Sequence, residues 1–290
     1  MSDPKATPPP SQKADPSVHK ETGWVALIKK EALEWYRLLI IFIPALFVFS
    51  MLAFEQRVIP SESMVPNLQV GDRVLVSKFA YGYSRYSVPW GLGRILPLGE
   101  GRLFASKPER GDVAVFMHPH FGRVMIKRLI GLPGDRVQMR AERLYINGEP
   151  VPTEYIRQVR YVPNGQNRPI TAREFTERLD DKTILVHQWR QNSYADSTPV
   201  FVVPEGHYFF MGDNRDNSTD ARDLSGHCEP EQGVISASGC TPRVSLERAS
   251  VGFVPFDHLI GKGVTVAWTT KRCSQGQEYD CPPKRVWRGL

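Results

Sequence analysis

Residues 111–148 read GDVAVFMHPHFGRVMIKRLIGLPGDRVQMRAERLYING. The apolar residues fall in short alternating runs rather than at helical spacing, which predicts strands over Asp112–Met117, Val124–Ile130 and Arg136–Arg140. Gly111-Asp112 and Gly134-Asp135 punctuate these runs as turn dipeptides. Asn147-Gly148, set between Leu144-Tyr145-Ile146 and Val151, is a hairpin signal, because a tight type I′ turn needs positive φ at both central residues. Working outward, Gly71-Asp72 opens a similar run over Arg73–Ser77, and His207–Met211 and Val264–Trp268 repeat the pattern. The expected fold class is mainly β.

N-terminal to these runs the pattern changes. Leu38–Phe54 (LLIIFIPALFVFSMLAF) is about 17 residues without a charge, roughly 26 Å of helix against the ~30 Å hydrocarbon thickness of a bilayer. It reads as one transmembrane helix rather than a cleavable leader, since it lies well inside the chain and no small-x-small site closes it. Trp24, Trp35 and Tyr36 suit the lipid interface, and Pro44 is a candidate kink. Lys20, Lys29, Lys30 and Arg37 precede the span while only Arg57 follows closely, so the positive-inside rule keeps the N-terminus cytoplasmic and exports the remainder.

The expected organisation is a disordered, proline-rich cytoplasmic tail (1–23), an interfacial and transmembrane helix (24–56), and a β core (57–152 and 200–290) interrupted at 223–249. The polar stretch 153–199 reads as an inserted subdomain. Cys228, Cys240, Cys273 and Cys281 all fall in the exported part, where disulfides persist. Three pairings are open, of which the nearest neighbours, Cys228 with Cys240 and Cys273 with Cys281, are favoured, making 228–240 a stapled surface loop. Zinc is disfavoured by the lack of C-x-x-C spacing, so no metal and no cofactor are expected. The net charge of +6 and pI near 9.1 come without a nucleic-acid signature, and a domain beside anionic lipid explains mild basicity more simply.

Three segments carry chemistry: Ile59-Pro60-Ser61-Glu62-Ser63-Met64-Val65-Pro66, Ile126-Lys127-Arg128, and the run from Gly212 to Arg222. Each has a plain alternative: a linker leaving the membrane, a strand with solvent-facing or edge-protecting cations, and a polar turn. If the first segment is extended, Ser61 and Ser63 project on one side. One hydroxyl can then attack a carbonyl while the other, with the Ser63 backbone N–H, donates to the oxyanion. A serine needs a base, yet the G-x-S-x-G elbow is absent and no exported histidine has an identifying context. A lysine serves only when neutral, and Lys127 has apolar Met125 and Leu129 two residues away on either side to desolvate it. The acidic run from Asp213 fails the EF-hand spacing, because Arg215 stands where a ligand is due.

Taken together, the anchor, IPSESMVPNL, GDRVLVSKFAYG, RGDVAVF, IKRLIGLPGD, MGDNRDNSTDAR and GFVP, in that order, closely resemble type I signal peptidases, also called leader peptidases. The resemblance implies a β-rich catalytic core beside the membrane, Ser63 as nucleophile, Lys127 as general base, and Ser61 with the Ser63 N–H as oxyanion hole. It implies that Ser218 orients the lysine and that the pairs Asp220 with Arg222 and Asp213 with Arg128 brace the site. The implied substrate is the signal peptide of an exported preprotein, cut after a small-x-small motif by pockets near Ile59, Met64, Leu68 and Ile126. Membrane phospholipid and the secretion machinery are the implied partners, and the bacterial inner membrane the implied location, with the catalytic domain extracytoplasmic. Ala221 departs from the family serine, and Arg57 is less apolar than usual before the motif. A peptidase dedicated to one secreted or pilus substrate, and an envelope binding module without chemistry, are the alternatives; only the second predicts that Ser63→Ala and Lys127→Ala leave function intact.

Overall fold

A computed structural model describes residues 23–88, 93, 101–163, 168–191, 193, 195–226, 233–236, 251–270 and 285–290. The chain divides into a unit ending at Phe49 and a compact unit from Ser50 to Leu290. Helix α1 (Gly23–Ala53) contains Pro44, and its Leu27–Phe49 stretch, with mean hydropathy 1.8, is by length and composition a candidate membrane span. The helix stops one residue short of the apolar run expected to span the membrane. Phe54 begins β1 (Phe54–Val58), which pairs antiparallel with β2 (Asp72–Ser77), so Phe54–Gln56 belong to a sheet rather than to the helix.

The remaining strands are β3 (Val113–Met117), β4 (Val124–Gly131), β5 (Arg136–Arg140), β6 (Arg143–Ile146), β7 (Glu149–Pro150), β8 (Thr153–Tyr161), β9 (Ile170–Leu179), β10 (Lys182–Gln188), β11 (Val200–Val202), β12 (His207–Met211), β13 (Val234–Ile235), β14 (Phe253–Pro255), β15 (Leu259–Thr269) and β16 (Val286–Gly289). The largest sheet runs β1-β2-β15-β3-β4-β12-β14, with β16 added to β15; a second runs β13-β11-β5-β6-β7 and a third β10-β9-β8. At the expected hairpin Asn147 and Gly148 both have positive φ (54° and 88°), the type I′ signature, and β6 pairs directly with β7. β15 is longer than the Val264–Trp268 read from sequence: Gly261 and Gly263 dilute the apolar alternation, and bulges let the strand pair with β3 at one end and β2 along the rest.

Two expectations change. The 153–199 stretch forms its own sheet but not a separate body: Leu179, Ile184 and Val186 share one buried cluster with Ile130, Val137, Phe201 and Phe209 of the core strands. Charged residues stand on both faces of β9, where Glu174 and Glu177 are buried beside Ala172 and Leu179, which hid the strand period beneath an overall polar composition. The expected 228–240 loop contains β13, paired parallel with β11, and β-branched Ile235 is buried in the same cluster. Cys228, Cys240, Cys273 and Cys281, like the 1–22 tail, lie outside the described residues.

Candidate active site

The nucleophile segment is the excursion that joins β1 to β2. Ile59 donates its N–H to the Asp72 carbonyl and accepts one from Gly71, closing the neck at 2.9 Å each. Within the excursion the backbone is not extended as expected but turns, with Val65 N–H to the Glu62 carbonyl at 3.1 Å and Leu68 N–H to the Met64 carbonyl at 2.8 Å. Turning lets Met64 and Leu68 enter the core with Ile59, Val74 and Val115, and that burial outweighs the extended preference set by the flanking prolines. The two serines still converge: Ser61 Oγ lies 3.3 Å from Ser63 Oγ.

β4 supplies the amine. Lys127 stands opposite Ala114 of β3, on a strand flanked on its other side by β12, so the edge-strand reading fails. Its Nζ donates to Ser63 Oγ at 2.5 Å, and the side chain is only 4% exposed. Burial lowers the ammonium pKa from 10.5 to about 8, although Asp220 and Asp213 pull it upward. Burial therefore dominates, as the sequence argument required, and the fraction of neutral amine becomes appreciable near physiological pH.

The 212–222 segment builds the wall around this pair. Arg128 grips Asp213 through Nε and Nη2, both at 2.7 Å, while its Nη1 donates to the Gly111 carbonyl. Arg222 grips Asp220 at 2.9 Å through two nitrogens, and Asp220 also accepts the Gly212 N–H. Burial alone would raise the Asp220 pKa, but Arg222 overcomes it and the carboxyl is held below its ordinary value. Gly212 has no room for a side chain: a Cβ there would meet Ser218 Oγ at 2.2 Å and the Ser63 carbonyl oxygen at 2.5 Å. Ala221, in place of the family serine, is fully buried against the core that contains Met211.

Every expected site residue among Ile59, Ser61, Ser63, Met64, Leu68, Ile126, Lys127, Arg128, Asp213, Ser218, Asp220 and Arg222 is thus found around one loop and its facing strands. One expected contact is not made. Ser218 Oγ is buried without a hydrogen-bond partner among the described residues, because the lysine amine is directed at Ser63 while Ser218 lies against the Gly212 backbone.

Other groups went unread. Asn214 donates its N–H to the Ser63 carbonyl at 3.1 Å and its side-chain amide to the Glu62 carbonyl at 3.2 Å. Asn67 donates to Asp213 at 2.8 Å and to the Leu185 carbonyl at 2.6 Å. Arg215, noticed only as a failed calcium position, forms a buried two-pronged pair with Glu177 of β9 at 2.7 and 2.5 Å. His187 pairs with Glu174 at 3.0 Å rather than with a serine. Asn67 and Asn214 stand inside motifs already singled out, so their spacing was available; the Glu177 partner is 38 residues away and carried no local signal.

Comparison with known proteins converges on one family. A family model described as Signal peptidase, peptidase S26, matches residues 32–268, leaving Arg285 and β16 outside the match. The signal peptidase I of Rickettsia bellii (strain OSU 85-389) is 34% identical over 84% of this chain and 75% of its own length. That of Rickettsia typhi is 35% identical over 77% of this chain and 75% of its own. A crystal structure of a signal peptidase I from Enterococcus faecalis V583 is 25% identical, covering 54% of this chain and 97% of that one, with a TM-score of 0.27.

Proposed function

We propose a Ser63–Lys127 dyad mechanism for this chain, which belongs to the signal peptidase family, peptidase S26, and is thus a serine endopeptidase that removes signal peptides from preproteins. The observation that carries the dyad is the 2.5 Å contact from a buried Lys127 amine to Ser63 Oγ. Neutral Lys127 takes the Ser63 hydroxyl proton as the oxygen attacks the scissile carbonyl carbon. The oxyanion that forms is met by Ser61 Oγ–H and the Ser63 backbone N–H, donors of a kind worth roughly 3 to 4 kcal/mol each. The lysine then passes its proton to the leaving amine, and in the second half-reaction it deprotonates the water that hydrolyses the acyl-enzyme.

Specificity after a small-x-small motif is assigned to Ile59, Met64, Leu68 and Ile126, which pack together in the apolar cluster next to Ser63, so that small side chains are expected to be accepted there and leucine rejected. The Arg128–Asp213 pair ties β4 to the 212–222 segment, and the Arg222–Asp220 pair braces that segment from within. α1 serves as a single anchor in phospholipid of the bacterial inner membrane, with the N-terminus cytoplasmic and the catalytic unit outside, where the secretion machinery delivers signal peptides and the anchor raises their effective concentration.

The test uses the full chain in detergent micelles with a preprotein ending its signal peptide in Ala-x-Ala. Ser63→Ala and Lys127→Ala are each expected to abolish cleavage while leaving the fold intact. Retained cleavage in either variant overturns the dyad.

A further inference from the structure

The turn that follows Ser63 is held from a direction the dyad does not explain. Arg285, at the foot of β16, is 6% exposed and buries its guanidinium beneath residues 66–72. Its Nη2 donates to the Pro66 carbonyl at 2.7 Å and its Nη1 to the Asn67 carbonyl at 2.6 Å, while Asp72 lies 3.2 Å from Nη1 as counter-ion. Asp72, itself fully buried, is fixed in turn by the Gln69 N–H at 2.8 Å and the Thr269 hydroxyl at 2.6 Å. Arg285 therefore has a place built for it, supported by β2 and β15, and its planar fork spans two successive carbonyls as a lysine amine could not.

Those carbonyls sit at a mechanically sensitive point. Pro66 and Asn67 lie between Met64 and Leu68, two of the wall residues, and three and four residues beyond the nucleophile. The side chain of Asn67 donates to Asp213, which is gripped by Arg128, the neighbour of Lys127. At the other end of the turn, Asn214 holds the carbonyls of Glu62 and Ser63. Residues 62–67 are thus clamped by carbonyl contacts at both ends, one set from the 212–222 segment and the other from the last residues of the chain.

We propose that Arg285 is a positioning residue for this peptidase: through the Pro66 and Asn67 carbonyls the C-terminal segment sets the placement of Ser63 and the width of the Met64–Leu68 wall. The inference rests on the dyad reading. Loss of the clamp lets the turn drift by a fraction of an ångström to an ångström, a displacement that can cost on the order of 10²-fold in rate. The same drift widens the wall, so discrimination between alanine and leucine at the small positions falls.

The experiment compares wild type, Arg285→Met, Arg285→Lys and Arg285→Ala as full chains in detergent, with preproteins carrying alanine or leucine at one small position. Arg285→Met is expected to lower kcat on the alanine substrate by roughly 10²-fold with KM changed less, and to narrow the alanine-to-leucine preference about tenfold. Arg285→Lys, which reaches one carbonyl, is expected to fall between Arg285→Met and wild type. Methylguanidinium is expected to restore part of the Arg285→Ala rate saturably while doing nothing for Ser63→Ala. If Arg285→Met folds and keeps both wild-type kcat and preference, the inference is overturned; the dyad reading survives provided Ser63→Ala and Lys127→Ala remain inactive. A kcat loss without change in preference, unrelieved by Arg285→Lys or methylguanidinium, also overturns it, since that pattern reports general destabilisation.

Discussion

Replacing Lys127 by methionine is expected to remove activity and to stabilise the protein at neutral pH. Methionine matches the lysine stem in length and carries no charge to desolvate. The lysine pKa falls from 10.5 unfolded to about 8 folded, a difference of about 3 kcal/mol held against the folded state while the amine is protonated in both states. The sign follows from proton counts: between pH 8 and 10.5 the unfolded chain binds more protons than the folded one, so wild-type stability rises with pH across that window and the full cost applies below it. Methionine forfeits the hydrogen bond to Ser63 Oγ, about 1 kcal/mol. The net gain for Lys127→Met at pH 7 is therefore about 2 kcal/mol, or roughly 4 to 8 °C in Tm. The assay is thermal and denaturant unfolding of both full chains in the same detergent at pH 7 and 10.5, beside preprotein cleavage. A variant less stable than wild type at pH 7, or a stability difference independent of pH, refutes the reasoning, because either result means the amine carries no burial cost.

Further expectations concern the supporting groups. Gly212→Ala is expected to lose most activity and to lower Tm, because its Cβ collides with the backbone carbonyl of Ser63 as well as with Ser218, and a carbonyl cannot rotate aside. Arg128→Met strands a buried Asp213 and should cost about 3 to 5 kcal/mol in denaturant unfolding, whereas Arg128→Met with Asp213→Leu should recover much of it. Ser61→Ala is expected to lower kcat by roughly 10²- to 10³-fold with little change in KM, measured on the same preprotein.

How far the sequence carried this account depends on the range of each interaction. Strands such as β3, β4, β5 and β12 were legible because their alternation and glycine punctuation are local, and the Asn147-Gly148 turn is dictated by φ alone. β8, β9 and β10 were not, since Arg157, Arg173, Glu174, Glu177 and Arg178 make the composition polar and two of the buried positions of β9 are Glu174 and Glu177, whose partners His187 and Arg215 lie further along the chain. Within the site, the lack of a histidine in an identifying context and the apolar neighbours of Lys127 pointed to a lysine base, and the family resemblance supplied Ser63 as its nucleophile. The turn at Glu62–Leu68 was missed because the gain from burying Met64 and Leu68 is tertiary. Arg285 was missed because its partners lie more than 200 residues earlier. Ser218 was read as a hydrogen-bond partner of the lysine, yet its hydroxyl faces the Gly212 backbone.

The pH dependence of kcat/KM for preprotein cleavage by the wild-type full chain tests the central claim most directly. A single limb that rises with unit slope and levels above an apparent pKa of about 8 is the expected profile, the free enzyme gaining activity as Lys127 loses its proton. A profile that is flat from pH 6 to 10, or that turns near 6.5 as an imidazole would, contradicts a buried amine as the base.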